Sequence, residues 1–119
     1  MRIILTGGGS GGHFYPLLAV ADALAALAES RKIAHLDLVY MADDPYDRDL
    51  LDMRRIAFKR IRAGKLRRYF SVWNFVDSLK TIIGLFEAAL LVYSNMPDVV
   101  FSKGGYPAFP VLLAARLFR

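Results

Sequence analysis

Arg2-Ile3-Ile4-Leu5-Thr6, then Gly7-Gly8-Gly9-Ser10-Gly11-Gly12, then His13-Phe14-Tyr15-Pro16-Leu17-Leu18-Ala19-Val20-Ala21 reads as a strand, a glycine turn and the opening of a helix. The residues ahead of the glycines are β-rich. Beyond them Pro16 suits a first helical position, where its missing N–H would have had no partner anyway. Leu17, Leu18, Val20, Ala21, Leu24, Leu27 and Ala28 then recur at helical spacing. Glycines in this setting let the backbone turn tightly, approach a ligand closely and aim amide N–H groups at an anion beside the positive end of the helix dipole. Diphosphate binding is the first expectation.

The alternation continues downstream. Residues 36–41 read as a second strand, followed by the turn Asp43-Asp44-Pro45, a short helix over 48–55 and a weaker strand over 56–61. Residues 63–71 read as a loop. A long amphipathic segment over about 72–94 carries Val72, Val76, Leu79, Ile83, Phe86, Leu90 and Tyr93 on one stripe, and Asn95-Met96-Pro97 ends it. A compact strand over 98–102 is closed by Lys103-Gly104-Gly105-Tyr106-Pro107, and 108–119 is a final apolar helix. Strands alternating with helices predict an α/β fold, a Rossmann-like parallel sheet with helices on both faces. With strand order 3-2-1-4 the loops after the first and fourth strands are neighbours at the topological switch point, where open α/β sheets bind ligands. Two glycine loops then face one crevice, to which Lys103 and Tyr106 add a cation and a hydroxyl. No further strand follows Arg119, whereas a doubly wound domain normally continues, so a fragment is expected.

With 119 residues, 55% of them hydrophobic, the chain supports one domain and a modest core, which excludes disorder. The absence of cysteine removes thiolate zinc sites and thiol catalysis, and two histidines far apart argue against a histidine metal site, so no metal and no cofactor are expected. Asp22 interrupts the first helical run, leaving no expected membrane span, and the glycines follow too soon for a signal peptide. A cytoplasmic protein is expected. The net charge of +5 is local: residues 53–76 carry eight basic side chains and no acidic one, while residues 1–52 carry four basic and eight acidic. Within the patch, Arg67, Arg68, Tyr69, Phe70 and Trp73 interleave cations with aromatics, which suits docking on an anionic membrane surface. The same composition could stack nucleic-acid bases or form core and rim.

His13 is the imidazole nearest the crevice and can accept a proton from a hydroxyl nucleophile, or instead hydrogen-bond a neighbouring carbonyl and shape the loop. His35 reads as a surface residue, and Asp43, Asp44, Asp47, Asp49 and Asp52 read as solvated caps rather than metal ligands. Gly7, Gly9 and Gly12 fit a dinucleotide fingerprint, but the first acidic residues after the second strand stand 31 and 32 positions past Gly12 instead of about 20. A P-loop fails because His13 and Phe14 occupy the Lys and Ser/Thr positions.

The block from Gly7 to Ala21 and the block Pro97-Asp98-Val99-Val100-Phe101-Ser102-Lys103-Gly104-Gly105-Tyr106 closely resemble the amino-terminal domain of the MurG family. That family comprises the peptidoglycan glycosyltransferases that move N-acetylglucosamine from its UDP donor onto lipid I to form lipid II. The resemblance implies the amino-terminal part of a GT-B glycosyltransferase, with residues 1–119 as an acceptor-binding domain. It implies that Gly9, Ser10, Gly11, Gly12, Gly104, Gly105 and Tyr106 line the acceptor diphosphate and that His13 helps deprotonate the acceptor hydroxyl. It further implies a peripheral enzyme on the cytoplasmic face of the cell membrane, whose partners are lipid I and the anionic inner leaflet and not nucleic acid. UDP-N-acetylglucosamine would bind a carboxy-terminal domain that is absent here, so this chain alone is expected not to catalyse transfer. The expectation is a truncated transferase; the alternatives are the acceptor subunit of a split two-chain N-acetylglucosaminyltransferase and a nucleotide-binding Rossmann module.

Overall fold

The computed structural model describes residues 1–8, 10–63 and 73–118. Strands β1 (Arg2–Gly7), β2 (Asp37–Ala42), β3 (Ala57–Arg60) and β4 (Val99–Gly104) form one parallel sheet in the order β3-β2-β1-β4. Helices α1 (Gly11–Ser30), α2 (Arg48–Met53) and α3 (Trp73–Asn95) make the crossovers, and α4 (Ala108–Leu117) follows β4. The 3-2-1-4 order expected from the sequence is the one observed.

Period-two alternation along the strands divides the core between the two faces of the sheet. Ile3, Leu5, Leu38, Tyr40 and Ala42 pack with Phe14, Leu17, Leu18 and Ala21 of α1 and Leu51 of α2. Ile4, Val39 and Met41 pack on the other face with Ala88 and Val92 of α3 and Val111 and Ala114 of α4. Burying each of the larger side chains contributes about 1.5–3 kcal/mol.

Three sequence expectations need correction. Helix α1 starts at Gly11, so Pro16 lies inside it. The carbonyl of Ser10 already accepts the N–H groups of His13 and Phe14, which starts the helix before proline is reached. Proline then leaves the Gly12 carbonyl without its i+4 donor, a loss confined to the exposed start of the helix. Second, α1 is long and apolar enough to cross a membrane by length and composition, Asp22 notwithstanding. In the fold, Phe14, Leu17, Leu18, Ala21 and Ala28 bury one side of it. Third, β4 runs on through Lys103 and Gly104, because a register shift after Thr6 pairs Gly7 with Gly104.

The apolar stripe of α3 faces outward. Leu79, Ile83, Phe86, Leu90 and Tyr93 are all exposed, Phe86 at 69% and Leu90 at 71%. The opposite face, with Gly84, Ala88 and Val92, meets the rest of the fold. A Cβ at Gly84 would stand 1.6 Å from the Arg62 carbonyl oxygen, so the helix rests directly on the backbone that leaves β3. Glu87 secures this contact by accepting the Arg62 N–H at 2.8 Å and pairing with its guanidinium at 3.0 Å.

Candidate functional site

The two glycine loops touch at the carboxyl ends of β1 and β4. Gly104 and Gly105 have φ of +96° and +94°, a region that strongly favours glycine, and a Cβ at Gly105 would come within 2.8 Å of the Gly8 carbonyl oxygen. Gly8 is itself flanked, since a Cβ there would lie 3.4 Å from Pro107 Cγ and 3.6 Å from Asp43 Oδ1. From below, the buried Tyr40 hydroxyl donates to the Gly7 carbonyl at 2.8 Å and the Thr6 hydroxyl to the Met41 carbonyl at 2.8 Å, fixing the start of the first loop.

Ser10 caps α1 in extended backbone without a side-chain hydrogen bond to the helix, so its hydroxyl does not occupy the first amides. Those amides, at Gly11 and Gly12, are the ones a helix leaves without intrahelical partners, and the dipole favours an anion beside them. His13 stands between the loops, its Cε1 3.9 Å from where a Gly104 Cβ would be. Its Nδ1 is buried and, among the described residues, has no hydrogen-bond partner, so this nitrogen does not make the carbonyl bond considered above. A buried, unpaired nitrogen is penalised by desolvation, and a hydroxyl from a ligand would relieve it. Gly9 lies outside the described residues, as do Arg67, Arg68, Tyr69 and Phe70; Trp73 is the first residue of α3.

Tyr106 is where the expected site is redrawn. Its hydroxyl donates to Asp43 Oδ2 at 2.5 Å, so it ties the end of β4 to the end of β2 across the Gly7–Gly8 turn. Composition alone placed Asp43 among the solvated caps. The other aspartates behave more as expected: Asp47 caps α2 by accepting from Leu50 N, Asp44 accepts from Tyr46 N, and Asp52 pairs loosely with Arg48. His35 is exposed. Lys103, also exposed, is the extra residue at the register shift between β1 and β4. No signal in one sequence joins residues 43 and 106, which are 63 positions apart and meet only because β1 separates their strands.

Both tyrosines around this turn hold their protons tightly. Burial, and then the Asp43 and Asp44 carboxylates, push the Tyr40 phenol up to about 12. Burial, followed by the Asp43 hydrogen bond, raises Tyr106 further.

Residues 3–119 match the glycosyltransferase family 28 N-terminal domain, and the chain belongs to that family. Within it, the chain is similar to UDP-N-acetylglucosamine--N-acetylmuramyl-(pentapeptide) pyrophosphoryl-undecaprenol N-acetylglucosamine transferases. It is 39% identical to that of Clostridium novyi (strain NT) over 99% of this chain and 31% of the relative. It is 38% identical to that of Legionella pneumophila (strain Corby) over 98% and 31%. The crystal structure of Acinetobacter baumannii MurG superposes with a TM-score of 0.70 at 26% identity, covering 98% of this chain and 32% of that one. The chain therefore spans about a third of the length of these relatives, and its fold is that of the amino-terminal part of a GT-B glycosyltransferase.

Because both phenols titrate higher in the fold than the usual value of about 10, their contribution to stability is complete below about pH 10 and lost as pH rises through the folded values. Denaturant unfolding at about pH 9 and about pH 11.5 should show a loss of stability that Tyr40→Phe reduces. An identical loss in Tyr40→Phe would contradict this account of the turn.

Proposed function

We propose that this chain is the acceptor-side domain of a hexosyltransferase of peptidoglycan synthesis, which transfers N-acetylglucosamine from UDP-N-acetylglucosamine to lipid I. The observation that carries the reading is the contact between the two glycine loops, which leaves one crevice bordered by a helix N-terminus, positive-φ glycine backbone and an imidazole. Amides of Ser10, Gly11, Gly12 and Gly105 suit a diphosphate, a di-anion that backbone donors bind without adding a competing cation, while the Gly104 N–H is taken by the Ser102 hydroxyl at 3.0 Å and shapes the loop instead. Tyr106 contributes by setting the separation of the loops through Asp43. The unpaired His13 Nδ1 suits the acceptor hydroxyl: it takes the proton as oxygen bonds to the sugar carbon and UDP departs. The sugar nucleotide belongs to a donor domain, on the same polypeptide or on a partner, and transfer requires it.

Docking on the cytoplasmic face of an anionic membrane is supported by α3. Phe75, Leu79, Ile82, Ile83, Phe86 and Leu90 expose a continuous apolar row, too large to be scattered surface residues, and the eight cations of residues 53–76 run up to its start. Apolar insertion supplies a salt-insensitive part of such binding and the cations a screened part.

In the transferase that contains this chain, Gly105→Val should lower acceptor kcat/KM by about 10²-fold while the donor KM stays within twofold. His13→Ala should lower kcat by about 10²-fold or more with little change in acceptor KM. Equal losses toward donor and acceptor would refute the assignment of the loops, and a loss of stability without a kcat effect would make His13 structural. For the membrane surface, co-sedimentation with phosphatidylglycerol vesicles should fall with salt and fall further in Phe86→Ser/Leu90→Ser, both residues being exposed. Equal binding to phosphatidylcholine vesicles would rule out the anionic surface.

A further inference from the structure

Beside the glycine crevice, two tyrosine rings stand half in solvent, Tyr15 at 54% and Tyr46 at 50% exposure. Tyr46 is held there against its backbone preference. Its φ is +60°, rare for a bulky aromatic residue. The Asp47 N–H donates to the Pro45 carbonyl at 2.7 Å, closing a tight three-residue turn around it, while its own N–H donates to Asp44 Oδ1 at 2.7 Å. Backbone strain of this kind costs on the order of 1–3 kcal/mol and persists where surrounding structure enforces it, commonly at ligand sites.

The strain sets the position of the ring. Tyr46 lies on Phe14 with centroids 4.9 Å apart and meets Tyr15 edge-on at 5.9 Å and 82°, so the two exposed rings form a corner. Buried Phe14 supports the corner, its centroid 5.7 Å from that of Tyr15, and is itself backed by buried Tyr40. The corner opens directly at the first turn of α1: a Cβ at Gly11 would lie 2.8 Å from the Tyr46 hydroxyl and 3.1 Å from Tyr15 Cε2. The glycine at residue 11 leaves room for both rings beside the helix end.

We propose that Tyr15 and Tyr46 form the subsite for the pyranose ring attached to the diphosphate on the glycine loops. Aromatic faces are electron-rich and attract the electropositive C–H edges of a sugar, and an apolar wall beside a few convergent polar groups is how small-ligand sites are built. This inference rests on the acceptor-diphosphate reading of the loops and adds to it the surface that recognises the sugar.

Tyr46→Gly is the discriminating variant, because glycine accepts a φ of +60° while removing the ring. In the transferase containing this chain, it should raise the acceptor KM about fivefold to tenfold, the scale of one lost aromatic contact, with kcat and donor KM within twofold. Tyr46→Phe, which keeps the ring, should recover most of the acceptor affinity. Tyr15→Ser reads out the same subsite from an exposed position should the first variant fail to fold. Competitive inhibition by inorganic pyrophosphate, which carries no sugar, should be unchanged in Tyr46→Gly and Tyr15→Ser but weakened in Gly105→Val. An unchanged acceptor KM in both tyrosine variants overturns the subsite while leaving the loops intact. A raised donor KM assigns the corner to the sugar nucleotide and overturns it equally. Pyrophosphate inhibition indifferent to Gly105→Val removes the anion site on which the inference rests.

Discussion

The Gly8 carbonyl and the Gly105 backbone come so close that no side chain can stand between them, and the rest of the site follows from that contact. It requires β4 to lie beside β1, which the parallel sheet provides, and a positive φ at the last residue of β4 and the one after it, which glycine provides. The Asp43–Tyr106 hydrogen bond then spans the same point from β2, so three strand ends are fixed relative to one another. A crevice built in this way needs little reorganisation to receive an anion, because its donors are backbone amides whose positions the sheet determines.

The outward stripe of α3 reverses the usual relation between apolar pattern and core. A helix resting on the Arg62 carbonyl through Gly84 cannot present large side chains to that surface, so the small residues Gly84, Ala88 and Val92 take the inner face. Phe86 and Leu90 are left in solvent, where they are unfavourable unless something apolar covers them. Stability and association thus draw on opposite sides of one helix.

Much of the architecture was legible because local and long-range signals agreed. Strand-glycine-helix at residues 2–21 and strand-glycine-helix at residues 98–119 both predict βα units, and the handedness of such units leaves few sheet orders. Boundaries were less legible where one competing contact prevailed: Ser10 starts α1 ahead of Pro16, and the register shift at Lys103 extends β4. Gly11, Gly12, His13, Gly104 and Gly105 lie at the two strand-to-helix turns, whose positions follow from local pattern. Asp43 read as a solvated cap and Tyr46 drew no reading, because the surroundings of each depend on tertiary neighbours, Tyr106 in one case and Gly11 with Phe14 in the other. An aspartate in an acidic turn and a tyrosine after a proline carry no pattern that sets them apart.

The central claim, that two loops separated by more than ninety residues form one anion site, is tested most directly by titrating the isotopically labelled chain with inorganic pyrophosphate and following its amide resonances. The account predicts that Gly11, Gly12, Gly104 and Gly105 shift together along one binding curve, and that Gly105→Val abolishes the shifts in both loops. Shifts confined to one loop, or centred on the cations Arg60, Arg62 and Lys80 instead, would contradict it.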